Sequence, residues 1–124
     1  MRYLLDTHIL LWWLLDTDDL SPGVKDLIDT ETEVYVSAAT IWEVAIKHSL
    51  GKLDVPTNFD TYVSRAGLTE LPVQGCHGIE AAHLPLHHRD PFDRMLIAQA
   101  RLDRLTLITH DETIRRYDVA IHQE

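Results

Sequence analysis

Four carboxylates, well separated along the chain, carry the clearest chemical signal in this sequence. Asp6, Glu43, Asp93 and Asp111 each lie near a point where a short apolar strand is predicted to end or a helix to begin. Carboxylates gathered without basic partners repel one another unless a hard divalent cation neutralises them, and Mg2+ and Mn2+ prefer oxygen ligands. The four acids therefore predict a metal site at one edge of a sheet.

Composition limits the ways in which this chain can bind a ligand. A chain of 124 residues, 45% of them hydrophobic, is the size of one domain, so we expect residues 1–124 to form a single domain. The formal charge of -9, from 20 acidic residues against 11 lysines and arginines, argues against binding nucleic acid by charge alone. If phosphate is the ligand, a metal must mediate the contact.

The sequence predicts a cytoplasmic protein. Cys76 is the single cysteine, so no internal disulfide can form and a reducing compartment fits best. The longest apolar run, residues 9–15, is far shorter than the ~20 residues that a membrane-spanning helix requires. Because Asp6 and His8 interrupt the amino-terminal segment, a signal peptide is also disfavoured. We therefore expect a soluble protein with no membrane contact.

Strands and helices alternate in the predicted order of elements. Apolar, β-rich runs predict strands at residues 2–6, 34–37, 69–73, 105–109 and 119–122. Helical periodicity and end signals predict helices at residues 7–15, 21–28, 39–50, 58–66, 78–84, 90–102 and 111–116. This alternation is typical of an α/β fold with a parallel sheet and helices on both faces, in which ligands bind outside the carboxyl ends of the strands.

Two of the acids follow predicted strands directly. Asp6 ends the first strand, and Thr7 could serve as the helix N-cap and leave Asp6 free to bind a metal. Asp111 occupies the corresponding turn after the strand at residues 105–109. Two strand ends that each offer an aspartate favour one shared site over two unrelated helix caps.

The other two acids lie on predicted helices and have plausible structural roles as well. Glu43 lies at the rim of an apolar stripe, where it can face a cleft or pair with Lys47 four residues later, and the spacing leaves both roles open. Asp90 precedes Pro91 and is favoured as a helix N-cap. Asp93 falls in the first helical turn, where the helix dipole stabilises a carboxylate.

Histidine and tryptophan side chains offer less specific signals. His87, His88 and His110 suggest a zinc site, but adjacent histidines do not easily face one metal, so zinc is disfavoured. Trp12 and Trp13 are typical of a hydrophobic core, yet adjacent residues point in different directions on a helix. One of the two tryptophans is therefore a candidate for exposure to a partner.

Taken together, four segments in this order resemble the PIN-domain family, specifically ribonuclease toxins of the VapC type from type II toxin-antitoxin systems. The segments lie at residues 4–8, 37–53, 88–100 and 109–111. The resemblance implies a PIN-like three-layer α/β/α sandwich whose central parallel sheet has four to five strands. It also implies an endoribonuclease that depends on Mg2+ or Mn2+ and hydrolyses RNA phosphodiesters by metal-activated water. A cognate antitoxin protein and a homodimer are the implied partners.

The resemblance also assigns roles to individual residues. It places Asp6, Glu43, Asp93 and Asp111 at the catalytic and metal-binding positions, with Asp90 in the same motif as either a ligand or only a cap. Small polar residues of the motif are expected to orient the acids, namely Thr7, Ser37 and Thr109. Basic residues are hypothesised to contact phosphate, namely Lys47, Arg89, Arg94, Arg115 and Arg116.

Two other classes of function remain open from the residues alone. Phosphate-handling domains, such as a response-regulator receiver or an aspartate phosphatase, also place aspartates at strand ends beside Mg2+. A receiver requires an acidic pair after its first strand, whereas here Asp6 is followed by Thr7. The phosphatase pattern requires a second aspartate where this chain has His8, so the sequence disfavours both. The other alternative is a non-catalytic interaction module whose acids only cap helices, which a metal-dependent gain in stability would exclude.

Overall fold

A central sheet of five parallel strands organises the computed structural model, which describes residues 1–124. The strands are β1 (Tyr3–Leu5), β2 (Val34–Ser37), β3 (Thr69–Leu71), β4 (Thr106–Thr109) and β5 (Ile121–Gln123). Their order across the sheet is β3-β2-β1-β4-β5, so β1 is central and is paired with both β2 and β4. The predicted parallel sheet is confirmed, and all the carboxyl ends of its strands share one edge.

Six helices connect the strands, and each strand is followed by helical structure until β5. They are α1 (Thr7–Leu14), α2 (Pro22–Thr30), α3 (Ala38–Ser49), α4 (Phe59–Arg65), α5 (Gly75–His83) and α6 (Pro91–Asp103). A single 3-10 turn, Ile114–Arg116, replaces the helix predicted for residues 111–116. None of these helices has both the length and the apolar character needed to cross a membrane.

Alternation along the strands divides the core between the two faces of the sheet. Leu5 and Ile108 pack on one face with residues of α1, α2 and α4, whereas Leu4 and Leu107 pack on the other face with residues of α6. Successive strand residues point to opposite faces, so the adjacent apolar pairs Leu4-Leu5 of β1 and Leu107-Ile108 of β4 each contribute to both cores. The structure is therefore the three-layer sandwich that the sequence predicted.

Several element boundaries differ from the sequence-based prediction, by up to three residues. Helix α5 begins at Gly75 because the side chains of Gln74 and His77 cap its first turn reciprocally. Strand β3 ends at Leu71, immediately before Pro72, which has no N–H to donate to a neighbouring strand. The last strand begins at Ile121, two residues later than predicted. These differences leave the sheet edge that carries the acids unchanged.

Arg94 lies inside the protein, contrary to the hypothesis that it contacts phosphate. Only 8% of it is exposed, and its guanidinium donates hydrogen bonds to four backbone carbonyls. The acceptors are the carbonyl oxygens of Ala81, Leu84, Pro85 and His88, at 2.7 to 3.1 Å. These bonds fasten the end of α5 and the following loop to α6. Arg94 thus supports the segment that precedes Asp90 and Asp93.

We expect Arg94→Met to destabilise the fold by about 3 kcal/mol, because four buried carbonyls lose a charged donor. Urea unfolding without divalent metal, followed by circular dichroism, measures this change. Arg89→Met is the matched control, since Arg89 is exposed and forms no ion pair, and its effect is expected within about 0.5 kcal/mol. Equal stability of the two variants would contradict the structural role of Arg94.

Candidate metal centre

The four acids come from four elements that meet at the carboxyl edge of the sheet. Asp6 follows β1, and Asp111 comes two residues after the end of β4, its neighbour in the sheet. Glu43 lies on α3, which begins directly after β2, and Asp93 lies in the first turn of α6. Since β1 lies between β2 and β4, the chain topology brings together acids that are more than 100 residues apart in sequence.

Asp6 is the most deeply buried of the four acids, with 2% of its surface exposed. It occupies the N-cap position of α1, but its side chain makes no capping bond. Its Oδ2 accepts a 2.6 Å hydrogen bond from the Thr109 hydroxyl, whereas its Oδ1 is buried without any partner. An unpartnered buried carboxylate oxygen is costly unless a cation or water satisfies it. Asp6 is therefore oriented for a ligand that the polypeptide does not supply.

Glu43 is buried and pairs with Lys47, which is one of the two roles that its spacing left open. Its Oε2 accepts a 2.8 Å bond from the Lys47 ammonium, and its Oε1 accepts a 2.8 Å bond from the Thr7 hydroxyl. Thr7 thus orients an acid, as the motif implied, and does not cap α1 as the sequence suggested. The hydrogen bond to Glu43 raises the pKa of Lys47, so this lysine stays charged beside the site. Lys47 is consequently held at the acid cluster.

His88 is the site residue that the sequence analysis missed. Its Nε2 lies 2.9 Å from Oδ2 of Asp93 and 2.9 Å from Oδ2 of Asp111, so it bridges the two carboxylates. The backbone N–H of Asp90 donates to His88 Nδ1 at 3.2 Å, which places the proton of the neutral ring on Nε2. The signal that could have revealed this role is that His88 lies two residues before the N-cap of α6.

The expected supporting residues divide into two groups. Thr109 accepts a bond from the Asp111 backbone N–H at 3.0 Å and also donates to Asp6, so it joins two of the acids. Asp90 caps α6 by accepting from the N–H groups of Phe92 and Asp93. The Ser37 hydroxyl accepts from the first turn of α3 and hydrogen-bonds to none of the four acids, contrary to its expected orienting role. Asp90 and Ser37 therefore fix the helices that carry Asp93 and Glu43.

Burial and repulsion make Asp93 a weak acid in the metal-free protein. Burial, with the charges of Asp6, Asp90 and Glu43, raises the pKa of Asp93 to about 7, against the opposing attraction of His88. Near neutral pH this carboxyl therefore carries a proton in about half of the molecules. A cation that displaced this proton would relieve the repulsion among the acids.

Asp6 and Asp111 are shifted in opposite directions. Burial raises the pKa of Asp6, and the hydrogen bond from Thr109 offsets only part of that effect. Burial also acts to raise the pKa of Asp111, but hydrogen bonds from His88 and from the backbone outweigh it, so this pKa is lowered. Asp111 therefore stays ionised at neutral pH. The site combines a fully ionised acid with acids that are easily protonated.

The donor set fits a divalent cation that prefers oxygen. Single ligand atoms of His88, Asp93 and Asp111 all lie within 4.8 Å of one another, close enough to share one ion. For Nε2 of His88 to bind a metal, its proton would have to move to Nδ1, where the Asp90 N–H already points. The carboxylates of Asp93 and Asp111, with the free oxygen of Asp6, are thus the better ligands, which suits Mg2+ or Mn2+.

A cleft of about 290 Å³ opens beside these acids. It is lined by Asp6, His8, Trp12, His110 and Asp111. The remaining candidates for phosphate contact are exposed and take part in no ion pair, namely Arg89, Arg115 and Arg116. The site therefore has an accessible acidic mouth and unpaired positive charges elsewhere on the surface.

We expect Mn2+ to raise the melting temperature strongly at pH 8 and much less at pH 5.5. At pH 8 and 100 times Kd, binding adds about 2.7 kcal/mol to the free energy of unfolding. At pH 5.5, about 1.5 units below the pKa of about 7, Asp93 is largely protonated, which weakens apparent affinity about 30-fold. Differential scanning calorimetry with and without Mn2+ measures both shifts.

Asp54→Asn provides the control for this pH dependence. Asp54 is exposed and lies outside the acid cluster, so its removal should leave the Mn2+ effect intact at both pH values. Asp93→Asn should abolish most of the stabilisation at pH 8. Equal Mn2+ effects at pH 5.5 and pH 8 in the unmodified protein would show that Asp93 is not a ligand.

Comparison with known proteins identifies the family. The family model of the PIN domain matches residues 3–120. Similar solved structures include DNA-bound VapBC from Salmonella typhimurium (TM-score 0.75, 15% identity, 99% of this chain and 98% of that chain). VapBC2 from Rickettsia felis, bound to a promoter DNA fragment, has a TM-score of 0.72 and 16% identity over 99% of this chain and 98% of that chain. A toxin-antitoxin complex from Klebsiella pneumoniae has a TM-score of 0.70 and 18% identity over 98% of this chain and 96% of that chain.

No curated protein sequence shows significant similarity to the chain. At identities of 15 to 18%, the solved structures show likeness of fold, and they cover nearly all of both chains. The family model itself spans almost the whole sequence. The chain therefore belongs to the PIN domain family, which is a family of nucleases.

Proposed function

We propose that residues 1–124 form one domain that acts as an endoribonuclease dependent on Mg2+ or Mn2+, the toxin of a toxin-antitoxin pair. Asp6, Glu43, Asp93 and Asp111 form its metal and catalytic site. The observation that carries this proposal is the buried, unpartnered Oδ1 of Asp6 within a cluster of converging acids. Helix capping alone does not account for that cluster, since Asp6 makes no capping bond and Asp90 is the acid that caps α6.

The acids have different proposed roles in binding the cation. Asp93 and Asp111, with the unpartnered oxygen of Asp6, would hold it through carboxylate oxygens, while Glu43 adds negative charge beside Lys47. A bound Mg2+ or Mn2+ supplies Lewis acidity, which activates water as the nucleophile and neutralises charge on the phosphate. Thr7 and Thr109 keep Glu43 and Asp6 in fixed orientations through hydrogen bonds of 2.8 and 2.6 Å. The products expected from this chemistry carry 5′-phosphate and 3′-hydroxyl ends.

Neither the cysteine of the chain nor the histidine that bridges the acids is placed to act as a nucleophile. The only cysteine, Cys76, is exposed on α5, and the imidazole of His88 is fully engaged with Asp90, Asp93 and Asp111. Since the chain carries a formal charge of -9, RNA must be held by local positive groups. We assign this role to the exposed Arg89, Arg115 and Arg116, together with Lys47.

Partners are proposed from the structural neighbours. A toxin-antitoxin complex from Klebsiella pneumoniae and two VapBC complexes share the fold over nearly the full length of this chain. These neighbours support a cognate antitoxin protein as a partner. From the family resemblance we further propose a homodimer of this chain, with RNA in the cytoplasm as the substrate. An antitoxin with a basic side chain would complement the acidic mouth formed by Asp6 and Asp111.

Incubation of the purified protein with total cellular RNA and Mn2+ or Mg2+ tests the activity. We expect discrete fragments with 5′-phosphate ends, no cleavage in EDTA, and at least about a 100-fold loss of rate for Asp6→Asn, which removes a metal-binding oxygen. Asp54→Asn should cleave at the unmodified rate, because its side chain is exposed and forms no hydrogen bond or ion pair with the cluster. A folded, metal-binding, antitoxin-free preparation that cleaves no RNA would rule out the proposed activity.

A further inference from the structure

Aromatic rings form one wall of the cleft beside the acids. The ring centroids of Trp12 and His110 are 5.5 Å apart, with the planes at 62°, and those of His8 and Trp12 are 6.3 Å apart, at 51°. Asp6 and Asp111 complete the lining of the same cleft. The cleft thus places a continuous group of rings next to two of the proposed metal ligands.

Trp12 and its neighbour Trp13 differ in the hydrogen bonding of their indole N–H groups. Both tryptophans pack partly against the core on the α1 side of the sheet. The indole N–H of Trp13 donates to Asp29 at 3.0 Å, but the protein supplies no acceptor for the indole N–H of Trp12. Trp12 is also the only hydrophobic residue in the lining of the cleft. The indole N–H of Trp12, a partly exposed residue, is therefore free to bond to water or to a ligand.

Nucleobases are the ligand chemistry that such a wall recognises. Every base has a flat π-face that stacks on aromatic side chains, and this contact does not require a particular sequence. A cleft of about 290 Å³ is at the small end of ligand sites, which suits one base rather than a longer segment. Because a nucleotide carries its base and phosphate on one sugar, a phosphate at the acids would bring a base to the rings.

We propose that Trp12, with His8 and His110, forms a base-stacking subsite for the nucleotide next to the cleaved phosphate. This proposal rests on the nuclease function proposed above. The ring of Trp12 provides the stacking surface, and the two histidines border it. A base in a duplex is stacked and paired, so the nucleotide that enters this subsite must be unpaired.

Tryptophan fluorescence tests the subsite without any cleavage. The chain has three tryptophans, so Trp13→Phe with Trp42→Phe leaves Trp12 as the sole emitter. We expect saturable quenching by adenosine monophosphate and none by ribose 5-phosphate, which has the same phosphate and sugar but no base. Trp12→Phe with Trp42→Phe leaves Trp13 as the control emitter, and its emission should not change. Equal quenching by both ligands, or by neither, would overturn the proposal.

Cleavage kinetics on a short single-stranded RNA provide the second test. Trp12→Leu should raise KM by about tenfold or more with a smaller change in kcat, because stacking contributes mainly to binding. Trp12→Tyr should restore most of the affinity, and Trp13→Leu should leave KM unchanged. A Trp12→Leu protein that cleaves with unchanged KM would overturn the subsite while leaving the nuclease intact. Base-dependent quenching in a protein that cleaves no RNA would instead support the subsite and exclude the proposed activity.

Discussion

Repulsion among carboxylates at one edge of the parallel sheet is the constraint on which the local structure depends. The topology forces Asp6 and Asp111 together because β1 and β4 are neighbours, and the helices after β2 and before β4 add Glu43 and Asp93. Burial removes most of the water that would screen these charges, so the pKa of Asp93 rises to about 7. The polar groups around the site either donate a hydrogen bond to an acid or cap a helix that carries an acid.

Hydrogen bonds from neighbouring side chains offset the repulsion among the acids only in part. Thr7, Lys47, Thr109 and His88 supply donors to the acids, yet Oδ1 of Asp6 has no partner. If the protein supplied a hydrogen-bond partner to every buried oxygen of the site, a cation would have to displace one of them. The unpartnered Oδ1 of Asp6 is a buried oxygen that a cation can bind without such a loss. The apolar cores on the two faces of the sheet supply the stability that keeps this strained arrangement of charges folded.

Much of this arrangement is predictable from the sequence because it depends on local signals. The β-rich run at Val34–Ser37 is followed directly by α3, and Asp90-Pro91 marks the start of α6. The starts of both helices can therefore be predicted from nearby residues. The location of His88 depends instead on contacts between residues 88, 93 and 111, which only the folded chain brings together. Arg94 looked like a surface cation because nothing local indicates the four carbonyls that surround its guanidinium.

Under the proposed function, the binding of protons, metal and RNA is coupled through the same acids. Without metal, a proton on Asp93 and the bridge from His88 limit the charge repulsion, so a cation enters only as that proton leaves. An RNA phosphate approaching a chain with a formal charge of -9 is repelled until a cation has neutralised the acidic mouth. The proposed stacking on Trp12 is uncharged and is not screened by salt, so it would hold a base while the phosphate is brought to the acids. On these proposals, the cleft combines one interaction that needs the metal with another that does not.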